Sequence, residues 1–223
     1  TAAPAAELPK NLAAGASVSA SSEYSESYLA RFVIDGKVPG AGSQSEDRGA
    51  AWCVHKATSG DRGELVFRFS GPVEVAEIIY WGRTAWFIEE CWKDYRVYLD
   101  GGETPAVSGS LEMVHGPQRI TLPSPARVRS VRLEFLNSYG GPNPGASEVE
   151  VFGRRLTDRE LNELAARHGA RPSAAAWAAE PDPEALGRLI ADLVRLHGSR
   201  YLQAESHRAR LDAGDEGARF RRR

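Results

Sequence analysis

The feature that most constrains this chain is one-by-one alternation of apolar and polar residues in a series of short segments. It runs through residues 64–69, 73–80, 94–99, 119–122, 128–135 and 148–152. Period-two patterning rich in β-branched and aromatic residues marks half-buried strands. Val131, Leu133 and Phe135 share one face and Arg132 and Glu134 the other, so one face meets a core and the other meets water. Val149 and Val151 oppose Glu148 and Glu150 in the same way. Ser70-Gly71-Pro72, Asp100-Gly101-Gly102, Gly116-Pro117 and the Gly/Pro-rich residues 140–145 lie between the segments. These residues supply a positive or a fixed φ and so interrupt pairing. Many short strands with few helices predict a mainly β fold, an antiparallel jelly-roll β-sandwich.

The period changes after Gly153. Thr157 followed by Glu160 reads as a capping box opening a helix that His168-Gly169 ends. A Pro/Ala-rich stretch, 171–181, leads to Asp182-Pro183 and a stripe of Leu186, Leu189, Ile190, Leu193 and Leu196 along one helix face. The predicted layout is an N-terminal extension over 1–10, the sandwich over 11–154, a helical docking segment over 155–212 and a basic tail over 213–223. Helix 183–196 is expected to dock on a partner or a downstream domain, and the tail, low in apolar residues, to be disordered by itself.

Charge divides unevenly. Residues 1–153 hold 14 Lys+Arg against 19 Asp+Glu, leaving 14 against 11 for the rest. Arg219 and Arg221 to Arg223 would suit phosphates, but the tail reads as a solvated end and no nucleic-acid partner is expected. No apolar run approaches the roughly 18 residues that read as a membrane span. The small-residue start, Thr1-Ala2-Ala3-Pro4-Ala5-Ala6, is of the kind that follows a removed export signal, so a secreted, periplasmic or cell-surface location is expected. The two cysteines, Cys53 and Cys91, each adjoin a tryptophan. A bridge would stabilise by roughly 3 to 4 kcal/mol in the chain-entropy model; the alternative is two separately buried thiols. The export-type start favours the disulfide.

Asn11-Leu12-Ala13, then residues 30–36, Trp52, residues 65–69, 94–101 and 146–153 follow one another in a recognisable order. The set resembles the coagulation factor V/VIII type C, or discoidin, domain over about residues 8–154. Within that group it is most similar to the bacterial family 32 carbohydrate-binding modules, with a galactose-binding-like fold. The resemblance implies a structural calcium ion on Asp35 and Glu148, with backbone carbonyls near Phe32, Lys37 and Ser147. Calcium takes six to eight hard oxygens, which such a set would supply in part. Lys37 departs from the Asp or Asn often found there, and the loop 38–51 is longer than usual. The alternative is a metal-free domain with Asp35 as a turn residue and Glu148 on a solvated face.

The resemblance also implies a glycan or other cell-surface ligand held on loops at one end, aromatic rings stacking on sugar faces. Three tryptophans crowd the loop 81–92. Trp81 and Trp92, at strand ends, read as core; Trp86 and Phe87 read as an exposed platform and Arg83 as a donor. The loop 137–145 presents Asn137, Tyr139 and Asn143, or is a rigid turn without ligand. His55 is a further sugar contact or is merely packed.

No Gly-x-Ser-x-Gly, His-Glu-x-x-His or Cys-x-x-Cys-His motif occurs. Glu89-Glu90 and Glu148/Glu150 are carboxylate pairs without a catalytic setting. The expected function is a non-catalytic, carbohydrate-binding module of an exported protein. Its rival is an interaction domain at the front of a larger exported enzyme or complex.

Overall fold

The computed structural model describes residues 8–170; the stripe of 183–196 and the tail of 213–223 lie outside the described residues. Seven strands are described: β1 Ser17–Ala20, β2 Trp52–Cys53, β3 Gly63–Gly82, β4 Asp94–Leu99, β5 Val107–Ser110, β6 Pro117–Phe135 and β7 Gly145–Phe152. Two α-helices join them, α1 Lys56–Ser59 and α2 Asp158–Arg167. All pairings between named strands are antiparallel, in the order β2-β7-β3-β6-β4-β5, with β1 added on β3.

The sandwich arises because β3 and β6 each serve both layers. Gly63 to Arg68 pair with Phe135 to Ser130, and Glu77 to Trp81 pair with Thr121 to Pro117, with register shifts between Arg68 and Val73 and between Val75 and Glu77. The first half of β3 also carries β1, and its second half carries β7. Segments 64–69 and 73–80 are therefore one bent strand, as are 119–122 and 128–135. Gly71-Pro72 breaks the ladder, as its chemistry requires, and the chain bends into the second layer. β1, β2 and β5 are two to four residues long, too short for alternation to reveal them.

Inward residues of both layers meet in one core. Leu65, Phe67, Val97, Val131 and Leu133 come from one layer, and Ile78, Tyr80, Ile120, Val149 and Val151 from the other. An aromatic group closes one end of it. Trp92 stacks on Phe135 with centroids 5.0 Å apart, and Trp52 lies 6.0 Å from Trp92. Gly63 is required beside them, because a Cβ there would come within 2.7 Å of the Trp92 ring. The Tyr80 hydroxyl donates to the Gly145 carbonyl at 2.8 Å and accepts from the Trp92 amide at 3.3 Å, fixing the starts of two loops from inside the core.

Three expectations are corrected. Glu148 and Glu150 are buried, not solvated. The turn at Asp35–Gly36 covers the first, while Trp81 Nε1 donates to Glu150 at 3.0 Å beneath α2. Secondly, α2 docks on its own sandwich: Leu161, Leu164 and Ala165 pack with Leu156 on Ile79, Trp81 and Phe152 in a second apolar cluster. The Thr157–Glu160 capping box starts this helix as expected, and Gly169, at φ +63°, follows its end. Thirdly, Cys53 and Cys91 are both buried and free. Each is paired with Gly145, so that residue's strand runs between them. Two strand spacings amount to about 9 to 10 Å, beyond the roughly 7 Å that a disulfide spans.

Candidate functional site

The strand ends Ala20, Gly63, Gly82, Phe135 and Gly145 gather at one pole, because Ala20 and Phe135 flank the first residues of β3 while Gly82 pairs with Ala146. The loops leaving these ends surround a cavity of about 400 Å³. Its lining includes Tyr24, Ser25, Ser27 and Tyr28 from a Ser-rich segment, and Arg83, Trp86, Phe87 and Glu90 from the loop after β3. Arg48, Cys53, Pro142 and Asn143 complete it.

Arg83 knits the pole together. It is 3% exposed. Its Nε and Nη2 donate to Asp47 Oδ2 at 2.8 and 2.6 Å, and Nη1 donates to the Glu90 carboxylate and to the Asn143 carbonyl, the latter at 2.9 Å. The guanidinium carbon lies 4.9 Å from the Tyr28 ring centroid. Four of the five guanidinium N–H groups are thus held inside the protein. Burial raises the Asp47 pKa, with Arg83 opposing. Burial likewise pushes Glu90 up to about 7, Arg83 opposing and Asp47 adding to the rise. The Trp86 indole N–H and Asp47 Oδ1 are both buried without a hydrogen bond of normal geometry, although the indole is close enough to hold the carboxyl's pKa down.

The rim is apolar. Phe87 is 55% exposed, with Ile88 exposed beside it in sequence, and Tyr24, another lining residue, is 44% exposed. His55 stacks on Tyr24 with centroids 5.5 Å apart and planes 2° from parallel. The cysteines supply no nucleophile, since burial pushes both thiols up to about 12 and the thiolate is the reactive form.

Of the residues singled out in the sequence, Arg83, Trp86, Phe87 and Asn143 line the cavity. Asn143 turns its side-chain amide inward to the Val54 carbonyl. Asn137 and Tyr139 lie outside it: Asn137 clasps Asp94, accepting its amide and donating to its carboxylate, and the Tyr139 hydroxyl donates to the Leu111 carbonyl. They brace the neighbouring loop. Sequence reasoning missed Tyr24 and Tyr28, although two aromatics in a Ser-rich loop meet the criterion that selected Trp86 and Phe87. It also missed Asp47 and Glu90, whose meeting at Arg83 no local pattern announces.

The residues implied for calcium are brought together in part. The Gly36 amide donates to Glu148 Oε2 at 3.2 Å, and Glu148 Oε1 is buried with no partner. Burial, with repulsion from Glu150, pushes this carboxyl up to about 10. Asp35 accepts the Lys37 amide at 3.0 Å and lies 3.3 Å from the Lys37 ammonium. Phe32 lies in the turn Ala30–Ile34, and the Ser147 hydroxyl donates to the Gly82 carbonyl. Among the described residues no three His, Cys, Asp or Glu side chains converge as a metal group. An orphaned carboxylate oxygen beside a turn fits a hard cation whose other ligands are carbonyls; Lys37 competes for Asp35.

The fold recurs in solved structures. A family 32 carbohydrate-binding module from Clostridium perfringens, in complex with GalNAc-β-1,3-galactose, superposes with a TM-score of 0.53 at 18% identity, covering 64% of this chain and 99% of that one. The family 32 module of C. perfringens NanJ, in complex with galactose, gives 0.52 at 19% identity, covering 63% and 96%. The lectin domain of lectinolysin, complexed with Lewis B antigen, gives 0.52 at 17% identity, covering 66% and 98%. No curated protein matches the chain. The F5/8 type C domain family matches residues 17–151, a span that contains both layers of the sandwich and every loop around the cavity. The chain therefore belongs to the F5/8 type C family and carries its non-catalytic, galactose-binding-like domain.

Proposed function

We propose that the domain binds carbohydrate in the cavity at the loop pole. The observation that carries this reading is the pair of exposed aromatic residues, Phe87 and Tyr24, that line one cavity together with hydroxyl and guanidinium groups. Ring faces cover the C–H faces of a sugar, while hydroxyls and a guanidinium bond its OH groups. Arg48, exposed and without an ion pair among the described residues, is the available cation; Arg83 positions the walls. Galactose-containing glycans are the first ligands to try, since sugars of that class occupy two of the structural neighbours. With such a ligand, the proposed location is secreted, periplasmic or at the cell surface.

The test is a glycan array with the full chain, Phe87→Ala and Tyr24→Ala. Phe87 makes no ring contact among the described residues, so its removal changes stability little, by about 0.5 kcal/mol. Tyr24 stacks on His55 and meets Tyr28 edge-on, so thermal unfolding of Tyr24→Ala is measured alongside, and a folded variant that loses signal reads binding. We expect a defined set of glycans with the wild type and a loss of about tenfold or more in each variant. A wild-type chain that retains no glycan would overturn the reading.

We further propose that calcium bridges the turn at Asp35 to Glu148, neither of which lines the cavity, and serves stability. The orphaned Glu148 Oε1 supports this. Elemental analysis is expected to find the metal in the purified chain, and a chelator to lower Tm in the wild type and not in Glu148→Gln. An equal response in both proteins would remove calcium from the account.

A further inference from the structure

A second cavity, of about 450 Å³, opens at the same pole. Ser21, Ser22, Thr58 and Ser59 line it together with Arg62, Glu64 and Glu134. It shares its dividing wall with the first cavity: residues 21 and 22 face the second, residues 24 and 25 the first. That segment is fixed in place, because Trp52 Nε1 donates to the Ser22 carbonyl at 2.8 Å and the Tyr24 amide to the Cys53 carbonyl at 2.9 Å. Three extended residues cover at most about 10 Å, so the two cavities are neighbours. Tyr24, which lines the first cavity, stacks on the exposed His55, three residues before Thr58 of the second.

The hydroxyls of the second cavity are pre-set. Ser21 Oγ accepts the Glu64 amide at 3.0 Å, which leaves its own O–H to donate. The Ser22 and Ser59 hydroxyls bond each other at 2.8 Å, leaving one proton between them. Thr58 Oγ1 donates to the His55 carbonyl at 3.0 Å and keeps its lone pairs. Arg62 is exposed and makes no ion pair among the described residues, whereas Glu64 is held by Arg132 at 3.0 Å. Fixed donors and acceptors of both kinds match a neutral, polyhydroxylated ligand, and holding them in advance reduces the ordering cost of binding.

We infer that the second cavity is a further sugar subsite and that the ligand is a neutral oligosaccharide, running from the first cavity past the shared segment 21–25 into the second. The inference rests on the first cavity being a sugar site. Linked rings engaging two subsites bind more tightly than one ring, because the second contact is intramolecular.

Calorimetry on the full chain separates the two claims. The probes are galactose, GalNAc-β-1,3-galactose and a linear neutral galacto-oligosaccharide of four rings. Arg62→Ala and Ser59→Tyr alter the second cavity at positions that carry no core packing, and Phe87→Ala alters the first. The expected result is that the four-ring sugar binds about tenfold or more tightly than galactose. That gain disappears in Arg62→Ala and Ser59→Tyr, whose galactose affinity stays at the wild-type value, while Phe87→Ala weakens every probe. Equal affinity for galactose and the four-ring sugar, or a gain that survives both second-cavity variants, overturns the subsite and leaves the first cavity standing. A wild type that binds none of the three overturns both.

Discussion

A guanidinium shut away from water is tolerable only when its N–H groups are bonded and its charge is met, and Arg83 satisfies both conditions through Asp47, Glu90 and the Asn143 carbonyl. Removing it strands two buried carboxyl groups. Arg83→Met is therefore expected to lose about 3 to 5 kcal/mol in urea unfolding, the usual result of breaking a buried pair from one side. Glu90 makes the same cluster sensitive to pH. Its folded pKa of about 7 stands above the ordinary 4.5, so its contribution is complete below 4.5 and is lost as pH rises through about 7. Tm of the wild type should fall across that window more steeply than Tm of Glu90→Gln, measured in parallel by thermal unfolding. Asp47, also raised by burial, slopes in the same direction, and because it is coupled to Glu90 the difference between the two proteins reads Glu90 together with that coupling.

Elements were legible in proportion to their length. The alternation in 94–99 gives β4 at its observed bounds, and Thr157 with Glu160 gives the start of α2. Alternation shows which residues face together without showing what covers them, which is why Glu148 and Glu150 read as solvated. Their cover comes from a turn over a hundred residues away in sequence and from a helix after the sandwich. Leu164 is the point at which to test that cover, since it packs in the cluster that holds Trp81. Leu164→Ala is expected to destabilise by about 2 to 5 kcal/mol. The Trp81 contribution to fluorescence should shift to the red as the helix loosens, whereas an unshifted spectrum at full stability would mean that α2 adds nothing to the fold. Arg119 bonds Glu77, Asp158 and the Leu156 carbonyl, so polar contacts hold the same helix at its start.

At the scale of the molecule, the two long strands decide where function sits. Each bends once, so the breaks at Gly71-Pro72 lie at one end of the sandwich and the strand ends gather at the other. Loops that are distant in sequence meet at that second end. Trp86 and Phe87 could be picked out because aromatic residues on a loop are visible in one dimension. Asp47 finding Arg83, or Ser59 finding Ser22, depends on which loops the strands deliver to one pole. The misplaced disulfide has the same origin, since two cysteines beside tryptophans gave no sign that the strand beginning at Gly145 runs between them.

The anchoring of several loops to one buried arginine divides the pole into positions free to vary and positions that are not. Arg48 and Phe87 are exposed and have no bond to the Arg83 cluster; Tyr24, also exposed, stacks on His55 and meets Tyr28 edge-on. Asp47, Glu90 and the backbone at Asn143 must keep facing Arg83 whatever the ligand is. If the rim binds sugar as proposed, specificity can be altered one rim residue at a time on an unchanged frame, whereas exchanging Asp47 or Glu90 requires a compensating change at Arg83.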